Sequence, residues 1–158
     1  LSLNREQNVG AWYSTVLIFS CACLLMVAGR RASQANDRDA RYWYILAIVF
    51  VALSFDEASS VHETLMDYIQ PVLYLPFLRR LRRPYGIWFL ASGAVFVAGA
   101  LGMEMVGGMV ADDNLAFTVS FLVEESLELA GMTSFSLAVM NYLRTDTAIQ
   151  LSGTEKTL

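Results

Sequence analysis

Basic residues are missing from most of this chain. No Lys or Arg occurs between Tyr42 and Leu78, nor between Pro84 and Leu143, and the eleven that exist lie in a few short segments. There is one His, His62, and there are two Cys. Each shortage removes an explanation. With no cation in either stretch, salt bridges cannot account for the acids found there. With one His, the paired Glu-x-x-His elements of a di-iron bundle cannot be assembled, and Ser59 stands where the Glu of such an element would be. Haem is disfavoured for the same reason, since only Met103 or Met105 could serve as a second axial ligand. Cys21 and Cys23 lie two apart in an apolar segment and point in different directions, which reads as helix packing rather than a disulfide or thiolate pair. No nucleophile, phosphate loop or cofactor motif supports an enzymatic reading, and nothing supports nucleic-acid binding.

What the chain has in abundance is apolar sequence. Of its 158 residues 56% are hydrophobic, gathered in long blocks rather than periodic stripes. Four segments read as membrane-spanning helices, over about 11–29, 42–67, 86–107 and 115–143, with 145–158 a loose polar tail. Aromatic residues stand where membrane interfaces are expected: Trp12 and Tyr13 on one side, and Tyr42, Trp43, Tyr44, Tyr85, Trp88 and Tyr142 on the other. The fold class is therefore all-α, a polytopic transmembrane helix bundle. The apolar part of 69–78 is about ten residues, too short to cross a hydrocarbon core of about 30 Å.

Four crossings conflict with the arginines. They put the Arg-rich loop 30–41 and the Arg-rich segment 79–83 on opposite sides of the membrane, against the positive-inside rule. A fifth crossing between Tyr68 and Arg79 makes Arg30, Arg31, Arg38, Arg41, Arg79, Arg80, Arg82, Arg83 and Arg144 all cytoplasmic. The amino terminus and Asp112-Asp113 are then outside and the carboxyl terminus inside, as in a bacterial inner-membrane protein. Two expectations compete for the short segment: a stretch of about 15 residues absent near 74–76, visible as a Cα–Cα step far above about 3.8 Å, or a re-entrant or interfacial piece over 69–78.

Eight of the fifteen carboxylates lie in or at the edge of apolar helices: Asp56, Glu57, Glu63, Asp67, Glu104, Glu124, Glu125 and Glu128. A charge at the bilayer centre costs about 2.5–3.5 kcal/mol on insertion scales, so these groups must be hydrated, protonated or bound to a cation. At about 100° per residue, Asp56, Ser60, Glu63 and Asp67 fall on one stripe, flanked by Glu57 and His62. Glu124, Glu128 and Gly131 share a face with Phe117 and Phe135, and Gly93, Ala100, Glu104 and Gly107 form a small-residue stripe suited to close helix packing. Five crossings bring all the acids to one depth near the extracytoplasmic side. Four would split them.

Carboxylates with a single imidazole suit Mn, Fe or Zn, and the candidate ligands or supports are Asp56, Glu57, His62, Glu63, Glu104, Glu124, Glu125 and Glu128. Two other readings compete. One is an accessory subunit of a larger membrane complex, its acids fixing helix packing through hydrogen bonds to Ser59, Ser60 and Ser126; the other is proton or cation passage, which lacks an acidic relay in the opposite halves of the helices. The elements SFDEASSVHETL, ALGMEMVGG and VEESLELAGM resemble those of a group of uncharacterised bacterial multi-pass membrane proteins. That resemblance implies a shared architecture with an extra helix before RRLRRP, and no function.

Overall fold

The computed structural model describes residues 9–59, 74–107 and 115–155. It is all-helical, with no strand among the described residues. The helices are α1 (Val9–Gln34), α2 (Ala40–Ser59), the short α3 (Leu75–Arg80), α4 (Arg83–Gly107) and α5 (Leu115–Glu155).

The turn between α1 and α2 is specified by its residues. Asn36 takes the left-handed conformation, φ 54°, which its short polar side chain tolerates. The amide of Asp37 then donates to Ala32 O at 2.9 Å and that of Asn36 to Ser33 O at 3.0 Å, the paired bonds of a Schellman ending. Asp37 Oδ1 accepts from the Asp39 amide at 2.9 Å and starts the next helix. The two helices return alongside each other, with Ser54 Oγ donating to Thr15 O at 3.0 Å near the far end.

Helix α5 runs antiparallel to α4 and parallel to α1. Cys21 Sγ lies 2.8 Å from Ser136 Oγ, and ten residues on Arg31 Nη1 donates to Leu143 O at 2.9 Å and to Thr147 Oγ1 at 2.5 Å. The core sits at the end where these contacts gather. Trp43, Phe77, Leu25 and Val139 are fully buried there. Trp43 meets the rings of Phe77 at 5.0 Å, Phe89 at 5.9 Å and Tyr142 at 4.9 Å.

Several expectations change here. The chain runs through Tyr74, the N-cap of α3, into Leu75, while residues 69–73 lie outside the described residues. From Leu75 the segment is a six-residue helix that Pro76 helps start and whose Phe77 enters the core. Trp43, Tyr42, Tyr85 and Tyr142 are packed into this aromatic core rather than forming an interfacial belt, because Phe77 arrives from a distant part of the sequence to cover them. Trp12, Tyr13 and Trp88 do face outward, at 71%, 57% and 62% exposure. The carboxyl-terminal segment is helical to Glu155 rather than loose, and residues 60–67, expected to extend the second helix, lie outside the described residues. Among the described residues one helical stretch, Trp12–Gln34, is long and apolar enough to cross a membrane, and Ala40–Phe55 is a shorter apolar helix, so four such spans are not found.

The arrangement of the ends positions everything that follows. Helix α2 leaves the aromatic core and ends at Ser59, about 24 Å away by helical rise from Trp43. Helix α3 then begins back at the aromatic core. Residues 60–73, which join the two, lie outside the described residues.

Candidate functional site

The two ends of the bundle differ in charge. At the aromatic end stand Arg30, Arg31, Arg38, Arg41, Arg79, Arg80, Arg82, Arg83 and Arg144, brought together by the turn from α1 to α2, by α3 with the start of α4, and by the later part of α5. Arg80 and Asp39 fasten two of these segments. Arg80 Nη2 donates to Asp39 Oδ1 at 2.8 Å and Nε to Oδ2 at 2.9 Å, a bidentate pair. The Arg80 guanidinium lowers the Asp39 carboxyl below its ordinary pKa, helped by Arg38 and Arg41, and Asp39 in turn raises that of Arg80.

That shift has a definite sign. A carboxyl with a lowered folded pKa adds stability above its unfolded value, near 4, and loses it as pH falls through the folded value. We expect wild type to melt slightly higher than Asp39→Asn at pH 7 and the difference to shrink as pH falls below about 4; the pair is partly exposed, so the gap is small.

A cleft of about 180 Å³ opens beside the pair, between Trp43, Tyr85 and Tyr142 on its walls and Asp37, Arg82 and Asp146 at its charged rim. Tyr85 and Thr145 close one side through a 2.6 Å hydroxyl contact. Sequence reasoning missed this cleft, since its parts come from three separated segments.

The acids lie toward the other end. Helix registers place them. Phe50 of α2 stacks on Phe135 of α5 at 5.1 Å, and the two helices are antiparallel, so seven residues along each brings Glu57 level with Glu128. On α4, a Cβ placed at Gly99 would stand 2.9 Å from Leu127 Cβ and 3.1 Å from Glu124 O and Glu128 N. Glu104, five residues further along α4, is therefore near the level of Leu122, nearer the start of α5 than Glu124 is. Asp56 and Glu57 in the last turns of α2, Glu104 near the end of α4 and Glu124 to Glu128 in the first half of α5 thus occupy the same end of the bundle.

Glu124, Glu125 and Glu128 are half-buried, and each has an interaction partner. Glu124 and Glu128 continue the inward stripe of Gly131 and Phe135, where a Cβ on Gly131 would meet Phe96 N at 2.7 Å. The expected stripe on α4 is displaced: Gly93 is exposed with nothing within 4 Å of its Cβ position, and the close approach is made by Gly99 and Phe96. Ser126 also differs from expectation, donating to Leu122 O of its own helix at 2.6 Å. His62 and Glu63 lie outside the described residues, as do the side chains of Asp56, Glu57 and Glu104. Among the described residues no group of three His, Cys, Asp or Glu side chains is placed to hold a metal ion. Cys21 and Cys23 are both free, one buried and one exposed, so they point apart as expected.

Residues 1–73 and 68–143 match a domain of unknown function, DUF8692. The chain belongs to that family. The two DUF8692 matches overlap at 68–73, just before α3 in the sequence. No curated protein and no solved structure matches the chain.

Proposed function

We propose that this DUF8692 chain is a multi-pass inner-membrane helix bundle that holds a divalent cation among carboxylates near its extracytoplasmic end. The observation that carries the reading is the placement of Asp56, Glu57, Glu104, Glu124 and Glu128 at one end of the bundle, opposite the arginines. Carboxylates grouped in a poorly hydrated place repel one another, and a divalent cation offsets both that repulsion and their desolvation. His62 and Glu63 follow α2 in sequence within three and four residues of Ser59.

Two features support the membrane part of the reading. Large apolar side chains face outward along the helices, among them Phe55 at 70%, Ile48 at 64% and Ile87 at 64% exposure, a distribution suited to lipid contact. Hydroxyls turn back onto their own helices: Ser20 donates to Val16 O at 2.7 Å, Ser92 to Trp88 O at 2.8 Å and Ser136 to Met132 O at 2.9 Å. Bonds of that kind hide polar groups where no water reaches them. With arginines cytoplasmic, the amino terminus is outside.

The test is elemental analysis of detergent-purified protein against a Glu63→Gln, Glu128→Gln double variant. We expect Mn, Fe or Zn near one ion per chain in wild type and a loss of at least about tenfold in occupancy in the variant, as each carboxylate supplies charge as well as an oxygen. Absence of metal from both after incubation with each ion contradicts the cation reading.

A further inference from the structure

We propose that the arginine end is a seat for an anionic phospholipid headgroup, an inference that rests on the membrane-spanning reading. Two of the nine arginines there are spent on the fold. Arg31 binds Leu143 O and Thr147, and Arg80 is held by both oxygens of Asp39. Arg30, Arg38, Arg41, Arg79, Arg82, Arg83 and Arg144 are exposed.

The Asp39–Arg80 pair sets the geometry of the seat. Arg38 and Arg41 flank Asp39 in the sequence, while Arg79 and Arg82 flank Arg80, so one bidentate contact draws two arginine-bearing turns together. The excess of charge is large: nine arginines stand against Asp37, Asp39, Asp146 and, at the far end of α5, Glu155, a formal +5 on this side of the described helices. The other carboxylates of the described helices, Asp56, Glu57, Glu104, Glu124, Glu125 and Glu128, lie toward the opposite end.

The surface directly beside the arginines identifies the partner. Ile45, Ile87 and Trp88 are exposed at 47%, 64% and 62%, within about two turns of Arg41 and Arg83 on the same helices. Guanidinium groups next to exposed apolar surface match a molecule with a phosphate at one end and acyl chains at the other. A nucleic acid would match the charge and leave the apolar ring uncovered. Clustered arginines at the cytoplasmic ends of membrane helices attract anionic headgroups by this electrostatic route.

The proposal is tested by native mass spectrometry of the purified full chain titrated with phosphatidylglycerol or phosphatidylcholine. One variant carries Gln at Arg38, Arg41, Arg79, Arg82 and Arg83, and a second carries Lys at the same five positions; Asp39 and Arg80 are untouched in both. We expect wild type to retain phosphatidylglycerol in preference to phosphatidylcholine, the Gln variant to bind it at least about a hundredfold more weakly, and the Lys variant to keep most of the affinity. Equal retention of the two lipids by wild type, or unchanged phosphatidylglycerol binding by the Gln variant, overturns the proposal. Helical content by circular dichroism separates a lost site from a lost fold. Alkaline carbonate washing of membranes distinguishes the two readings: release of the chain overturns the spanning reading, whereas a retained chain with no lipid preference overturns only the headgroup seat.

Discussion

Replacing Gly131 with Ala is expected to destabilise the bundle by about 2–3 kcal/mol, the range for forcing an extra methyl into a packed interface. The added Cβ would stand 2.7 Å from Phe96 N and 2.9 Å from Phe96 Cα. These are backbone atoms of α4 and cannot rotate away, so the two helices must part. Gly99→Ala meets Leu127 Cβ at 2.9 Å on the same interface and is expected to act in the same direction. Gly93→Ala is the control. It has open space, and Ala favours a helix over Gly by about 1 kcal/mol, so this change is expected to be neutral or stabilising. Unfolding of the three variants in detergent, followed by circular dichroism, separates the positions. Equal losses at Gly93 and Gly131 would contradict the α4–α5 packing.

The second large effect is expected at Trp43. It is fully buried among Phe77, Phe89 and Tyr142, and it links α2 to α3, α4 and α5. Truncation to Ala leaves a cavity at the junction of four helices and is expected to cost about 3–5 kcal/mol. Trp88, 62% exposed, is the matched control, with Trp88→Ala expected to change stability by about 0.5 kcal/mol or less. The same unfolding measurement applies, and a Trp43→Ala protein as stable as Trp88→Ala would contradict the core assignment.

The contrast between these two tryptophans also shows what the sequence could convey. Both stand near the start of an apolar helix beside arginines, which reads as interfacial anchoring. Only the arrival of Phe77 distinguishes them, and nothing local to Trp43 announces it. The α4 glycines pose a similar problem. In a helix whose outward face is as apolar as its packed face, hydrophobic periodicity cannot choose between Gly93 and Gly99. Close backbone approach chooses, and it depends on where α5 lies.

Polar residues were more informative because their placement is costly. Glu124, Glu128, Gly131 and Phe135 were legible as one face of α5, and Gly131 and Phe135 do meet α4 and α2 there. Counting arginines required the chain to return between the acidic stretch of α2 and the segment RRLRR, and the structure places those segments at opposite ends of the bundle. The expected crossing between Tyr68 and Arg79 falls partly on residues 60–73, which lie outside the described residues.

That return is the claim on which the gathering of the acids at one end depends, and labelling from one side of the membrane tests it most directly. Single cysteines replace Asn36, Arg82 or Asp113 in a chain whose Cys21 and Cys23 are Ser, and intact cells are treated with a membrane-impermeant maleimide. Asp113→Cys is expected to label from outside, while Asn36→Cys and Arg82→Cys label only after permeabilisation. If Asn36→Cys and Arg82→Cys fall on opposite sides, the chain crosses an even number of times, the acids of α2 part from those of α4 and α5, and the account is wrong.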